Sequence, residues 1–140
     1  MLTCDIASWK VIVIDDDVDS LRLVDTLFKS KSVHIDTFDN VIDGLKAIQD
    51  GDYNLLLLDL MIPGDADGFE LHKQLREEGI PIMIVAFTAM TEQRDLDTAR
   101  KMGFDGYISK PYDPKTILIL LRAFISTYLV WRGQAPCLQL

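Results

Sequence analysis

Short apolar runs alternate along the chain with helix-length amphipathic segments, several closed by glycine, which is the rhythm of repeated βα units. Strands are predicted at Lys10–Ile14, Val33–Phe38, Tyr53–Leu58, Ile82–Phe87 and Gly106–Ser109. The third and fourth are apolar almost throughout, which marks central strands covered on both faces, because a strand with one wet face alternates. Helices are predicted at Val18–Ser30, Val41–Asp50, Gly68–Glu78, Thr91–Met102 and Pro114–Trp131, with Leu21, Val24 and Phe28 on one face of the first. Asn40 and Asp113 suit N-cap positions and Pro114 the first helical position. Gly51, Gly79 and Gly103 suit the left-handed residue that closes a helix. The whole pattern specifies an α/β fold on a doubly wound parallel sheet.

Polar residues interrupt this pattern at one recurring place. Asp15 and Asp16 follow the first strand, Asp59 the third, Thr88 the fourth and Lys110 the fifth. All five fall at carboxyl ends of strands, the edge at which open parallel sheets bind ligands.

Composition narrows the partners. The 140 residues are 49% hydrophobic, enough for one domain with its own core. A net charge of −8 opposes phosphate backbones and anionic lipid, so no nucleic-acid or membrane partner is expected. Cys4 and Cys137 form neither a CxxC pair nor a ligand spacing with His34 or His72. The N-terminus lacks a basic start and an apolar run, and the stretch Ile117 to Trp131 is broken by Arg122 and falls short of the roughly 20 residues of a membrane span. A cytoplasmic location is expected.

Three carboxylates at one sheet edge raise one another's pKa unless a cation holds them together. Oxygen donors with positions left to water and phosphate describe Mg²⁺ better than a closed Ca²⁺ cage. Asp16 and Asp59 are expected as direct ligands, Asp15 as an outer partner through water, and the backbone carbonyl of Met61 as a third ligand. A carboxylate can attack phosphorus and form an acyl phosphate when the charge on the moving group is neutralised. Lys110 supplies a point charge that can pair with Asp59 before reaction and with phosphoryl oxygens after it. Thr88 offers a hydroxyl, and the small Ala89 leaves room.

Taken singly, each residue has a plainer reading. Asp15, Asp16 and Asp17 suit the positive end of a helix dipole, Asp59 and Lys110 suit loops, and Thr88 suits a turn. The agreement of five positions at one edge favours the site. The run Gly64-Asp65-Ala66-Asp67-Gly68 reads as a turn, since it lacks the spacing and closing glutamate of an EF-hand.

Five motifs now stand in order: Val11-Ile12-Val13-Ile14-Asp15-Asp16-Asp17, Leu55-Leu56-Leu57-Leu58-Asp59, Pro63 leading to Asp67-Gly68, Ala86-Phe87-Thr88-Ala89, and Gly106-Tyr107-Ile108-Ser109-Lys110-Pro111. Across roughly residues 10–125 the chain resembles the receiver domain of bacterial two-component response regulators, including the single-domain chemotaxis regulator. The resemblance implies a flavodoxin-like (βα)5 fold with strand order 2-1-3-4-5, and a division into an N-terminal extension 1–9, a receiver 10–131 and a tail 132–140. It implies phosphotransfer to Asp59 from a sensor histidine kinase or histidine phosphotransfer protein, and a cis Lys110–Pro111 bond. It also implies a switch in which Thr88 moves toward the phosphoryl group and Tyr107 turns inward, reshaping the face of helix 4, strand 5 and helix 5.

Two features depart from the family pattern: the Pro63 to Asp67-Gly68 turn is one residue longer, and Ile62 stands where methionine is common. Met61 and Met90 stand where the family tunes access of hydrolytic water, so slow loss of phosphate is expected. The last helix is apolar nearly all round, so either the tail from Trp131 to Leu140 folds across it or the helix 4 to helix 5 face forms a homodimer. With no output domain following, a stand-alone regulator acting through protein contacts is expected.

The chief alternative is a pseudo-receiver, an interaction module without a phosphate cycle. A haloacid-dehalogenase-like phosphatase needs a second aspartate two residues after the nucleophile, where this chain has Met61. The expectation is therefore a phosphoacceptor signalling protein that turns over no separate substrate. A flavodoxin-like electron carrier is opposed by the acidic edge, which repels a flavin phosphate.

Overall fold

A computed structural model describes residues 5–62, 68–89, 92–110 and 113–133. Five strands, β1 (Lys10–Ile14), β2 (His34–Phe38), β3 (Leu55–Leu58), β4 (Met83–Thr88) and β5 (Gly106–Ser109), form one parallel sheet in the order β2-β1-β3-β4-β5. The helices α1 (Val18–Ser30), α2 (Val41–Asp50), α3 (Gly68–Glu77), α4 (Gln93–Met102) and α5 (Pro114–Trp131) alternate with them. This is the flavodoxin-like order expected from the resemblance. The chain winds one way from β1 to β2 and the other way from β1 through β3, so a crevice opens at the carboxyl ends of β1 and β3.

Successive strand residues face opposite sides of the sheet, so strands covered on both faces must be apolar throughout. Val11, Val13, Leu55, Leu57, Val85 and Phe87 join Leu21, Val24 and Phe28 of α1 and Ile117, Leu121 and Ile125 of α5 in one core. Ile12, Ile14, Leu56, Leu58 and Ile84 join Val41 and Ile48 of α2 and Leu71 and Leu75 of α3 in the other. The first core extends below the sheet, where Trp9 is buried, its ring edge-on to Tyr128 at 6.0 Å, and Arg132 covers the Tyr128 ring at 3.5 Å. α5 is long and apolar enough by length and composition to cross a membrane, but Ile117, Leu121, Ile125, Tyr128 and Leu129 place one face of it in this core.

Several ends differ from the sequence pattern for local reasons. β2 starts at His34 because the Val33 N–H donates back to Phe28 O, closing the turn after α1. β3 starts at Leu55, with Asn54 accepting the Lys10 N–H on its side-chain oxygen. β4 runs to Thr88, which pairs with Ser109, so Thr88 ends the strand and does not follow it. α3 ends at Glu77 and α4 starts at Gln93. Asn40 and Asp113 cap α2 and α5 as expected, and Gly79 and Gly103 take positive φ. Gly51 does not: its backbone is extended, and a Cβ there would meet Ala47 O at 2.9 Å, so space and not handedness favours glycine. The Gly64–Asp67 turn, Met90, the Lys110–Pro111 bond, residues 134–140, Cys4 and Cys137 lie outside the described residues.

Candidate functional site

Backbone hydrogen bonds carry the sheet one residue past three strand ends. Asp15 N–H donates to Phe38 O (3.0 Å), Asp59 N–H to Ile14 O (3.0 Å) and Lys110 N–H to Thr88 O (2.9 Å). Asp15 and Asp59 therefore leave the sheet from the neighbouring strands β1 and β3, and Lys110 leaves from β5, with β4 between it and Asp59. Asp15 is fully buried, Asp59 and Thr88 are buried, and Asp16 is exposed.

Each oxygen of the two buried carboxylates has a hydrogen-bond partner. Asp15 Oδ1 accepts the Asp17 N–H at 2.9 Å, and Asp59 Oδ1 accepts the Met61 N–H at 2.9 Å. The Lys110 ammonium donates to Asp15 Oδ2 in a short pair and to Asp59 Oδ2 at 3.2 Å, so one cation bridges both acids. Its Nζ also lies 5.6 Å from the centre of the Phe87 ring. Asp17 in turn caps α1, accepting the N–H groups of Asp19 and Ser20 at 3.0 and 3.5 Å and the Ser20 hydroxyl at 3.1 Å.

Burial pushes the Asp15 carboxyl up to about 6, against the opposing pull of its Lys110 and Asp17 hydrogen bonds. Burial works against the Lys110 ammonium too, but the hydrogen bond and charge of Asp15, with those of Asp59, outweigh it, and its pKa is raised. The site is thus short of positive charge: three acids face one lysine. Asp15, Asp16 and Asp59 each offer an oxygen, all within 4.8 Å of one another, a donor set that fits a hard divalent cation such as Mg²⁺.

The structure brings together four of the residues picked out by sequence, Asp15, Asp16, Asp59 and Lys110, and places buried Thr88 at the end of the adjoining strand. The backbone of Met61 adjoins the site through its N–H, while its side chain is 54% exposed. Tyr107 lies apart, half-buried in a groove of about 460 Å³ between α4 and α5 with Leu96, Phe104 and Phe124. Burial, with the charges of Asp95 and Asp59, raises its pKa. Two features were missed: the direct Asp15–Lys110 pair and the seat that Phe87 gives Lys110. The first joins residues 95 apart, beyond any local pattern. The second had a signal, since Phe87 directly precedes Thr88 in a motif already singled out.

A doubly wound five-stranded sheet with acids, a threonine and a lysine at its carboxyl edge defines the receiver class of signalling domains. The chain belongs to that family: residues 11–122 match the family described as response regulator receiver domain. It is 32% identical to the transcriptional regulatory protein ResD of Bacillus subtilis over 117 residues, covering 83% of this chain and 48% of ResD. Among solved structures it is similar to a two-component response regulator from Clostridium difficile (26% identity, 84% of this chain and 95% of that one, TM-score 0.77). The chemotaxis protein CheY4 of Vibrio cholerae shares the fold (22% identity, 83% and 98% coverage, TM-score 0.77). The chain spans about half the length of the curated relatives it matches, 48% of ResD and 52% of the Enterococcus gallinarum regulatory protein VanRc.

Proposed function

We propose that this receiver takes a phosphoryl group onto a carboxylate oxygen of Asp59, donated by a phosphohistidine of a sensor kinase or phosphotransfer protein. The P–N bond to the donor imidazole breaks, the Asp59 O–P bond forms, and the imidazole leaves with the nitrogen lone pair. The observation that carries the reading is the Lys110 bridge: one mobile ammonium holds Asp59 Oδ2 while Met61 N–H fixes Oδ1. Lys110 then exchanges its carboxylate partner for a phosphoryl oxygen, keeping the new charge paired. Asp15, Asp16, Asp59 and the Met61 carbonyl would hold Mg²⁺, which when bound would neutralise carboxylate and phosphoryl charge.

Thr88 and Tyr107 carry the signal in this reading. The Thr88 hydroxyl moves to the phosphoryl group, Tyr107 turns inward, and the α4–β5–α5 face changes shape. α4 suits such movement because Ala99 alone among its residues is buried. That face is proposed to meet the downstream protein partner or a second copy of the chain. The exposed Met61 side chain shields the acyl phosphate from water, giving slow dephosphorylation. The unit is taken as residues 10–131, acting in the cytoplasm and turning over no separate substrate.

Intact mass after treatment with acetyl phosphate and Mg²⁺ tests the phosphoacceptor, with Asp59→Asn alongside. A gain of one phosphoryl group in the wild type and none in the variant is expected. A folded wild type that gains nothing at any Mg²⁺ concentration returns the chain to the interaction-module reading.

A further inference from the structure

The geometry points to Gly68 as a positioning residue for Asp59, an inference that deepens the phosphoacceptor reading and rests on it. Gly68 opens α3 and is buried against the strand end that bears Asp59. A Cβ at Gly68 would stand 2.7 Å from the Asp59 carbonyl oxygen and 2.8 Å from the Leu60 Cα. Both are backbone atoms, and ordinary contact begins at 3.4 Å, so they would have to retreat by roughly 0.6 to 0.7 Å. The reason for glycine here is space and not conformation, because the positive φ values among the described glycines belong to Gly79, Gly103 and Gly133.

The atoms that would move are those that aim the nucleophile. The Asp59–Leu60–Met61 backbone carries the Met61 N–H that holds Asp59 Oδ1 and thereby turns Oδ2 toward Lys110. It also carries the Met61 carbonyl proposed as a metal ligand. Gly68 touches neither substrate nor metal; it acts by letting α3 seat directly on this peptide, with no side chain between. A misplacement of about 1 Å at a reacting group costs on the order of 100-fold in rate, so the smaller shift expected here should cost about 10-fold or more.

Gly51 provides the control, since its Cβ would meet Ala47 O at 2.9 Å and the Tyr53 ring at 3.0 Å, a clash before β3 at the end of the sheet away from Asp59. The 140-residue wild type, Gly68→Ala and Gly51→Ala are compared for acetyl phosphate labelling rate, the Mg²⁺ concentration giving half-maximal rate, and thermal stability. Gly68→Ala is expected to label about 10-fold more slowly and to need more Mg²⁺, whereas Gly51→Ala loses stability and keeps both. A folded Gly68→Ala with the wild-type rate and Mg²⁺ requirement overturns the inference. Sucrose, which favours the compact state, is added if Gly68→Ala is unfolded; a variant still unfolded assigns the contact to stability alone and also overturns it. Should the wild type accept no phosphoryl group, the phosphoacceptor reading falls and Mg²⁺ titration of the Asp59, Leu60 and Met61 amides by NMR decides for Gly68. Weaker Mg²⁺ binding in Gly68→Ala supports positioning, and unchanged binding overturns it.

Discussion

At the scale of single residues, the chain keeps a carboxyl group, Asp15, out of water beside a second acid and one lysine. A group whose pKa is raised by folding binds its proton more tightly in the native state. Its contribution to stability is therefore fully present below the ordinary value of 3.8 and is lost as pH climbs through about 6. The metal-free protein should lose on the order of 2 kcal/mol across that window relative to an Asp15→Asn variant. Denaturant midpoints measured at intervals from pH 4 to 7 check this, and equal slopes for the two proteins would refute it. Added Mg²⁺, which binds only the ionised acids, should restore the wild type at neutral pH.

At the scale of elements, α3 joins the site to the rest of the sheet. The buried His72 ring stacks on Phe104 at 4.2 Å, and Arg76 donates to Ile82 O (2.7 Å) and to Asp105 Oδ2 (3.1 Å), which also accepts the Ile84 N–H. His72 Nε2 is buried and unpartnered. Burial, then the Arg76 cation, lowers the His72 pKa, so its contribution is present above 6.5 and lost as pH falls through the lowered value. That slope is opposite to the one from Asp15, and the two variants separate them. His72→Leu should hold or gain about 1 kcal/mol at neutral pH and flatten the acid side of the profile, as read by chemical denaturation. A variant as acid-sensitive as the wild type would show that the proton goes elsewhere.

The elements themselves were mostly written in local pattern. β1, α1, α2, β5 and α5 have the bounds that periodicity and caps assigned, because their ends are set by neighbours in sequence, such as Asn40 accepting the Asp43 N–H. β2, β3 and β4 shifted because partners distant along the chain decide where a ladder begins and ends, as Ser109 does for Thr88. The same division holds in the site. Its acids and lysine were legible from their place after apolar runs, whereas the Lys110 bridge to Asp15 and the close seat of Gly68 on Asp59 exist only once the strands are assembled.

For the molecule as a whole, stability and chemistry sit at opposite ends of the sheet. Trp9 lies just before β1 and the acids just after it, and β1 has five residues. At a rise of about 3.3 Å per residue that is roughly 15 Å or more, beyond the distance at which substitutions couple. Trp9 is 1% exposed and packs on Tyr128 near the end of α5, so it ties the segment before β1 to the last helix. Trp9→Ala leaves a cavity that the surroundings fill only in part and should cost about 3 to 5 kcal/mol. At a temperature where the variant remains folded, its acetyl phosphate labelling rate and Mg²⁺ requirement should match the wild type. Thermal melts and intact-mass time courses on the same samples check both halves. A variant that melts early and also labels slowly would mean that the lower core and the carboxyl edge share one strained framework. Normal labelling would show that the receiver chemistry needs the upper edge in place and draws on the lower core only for the folded state itself.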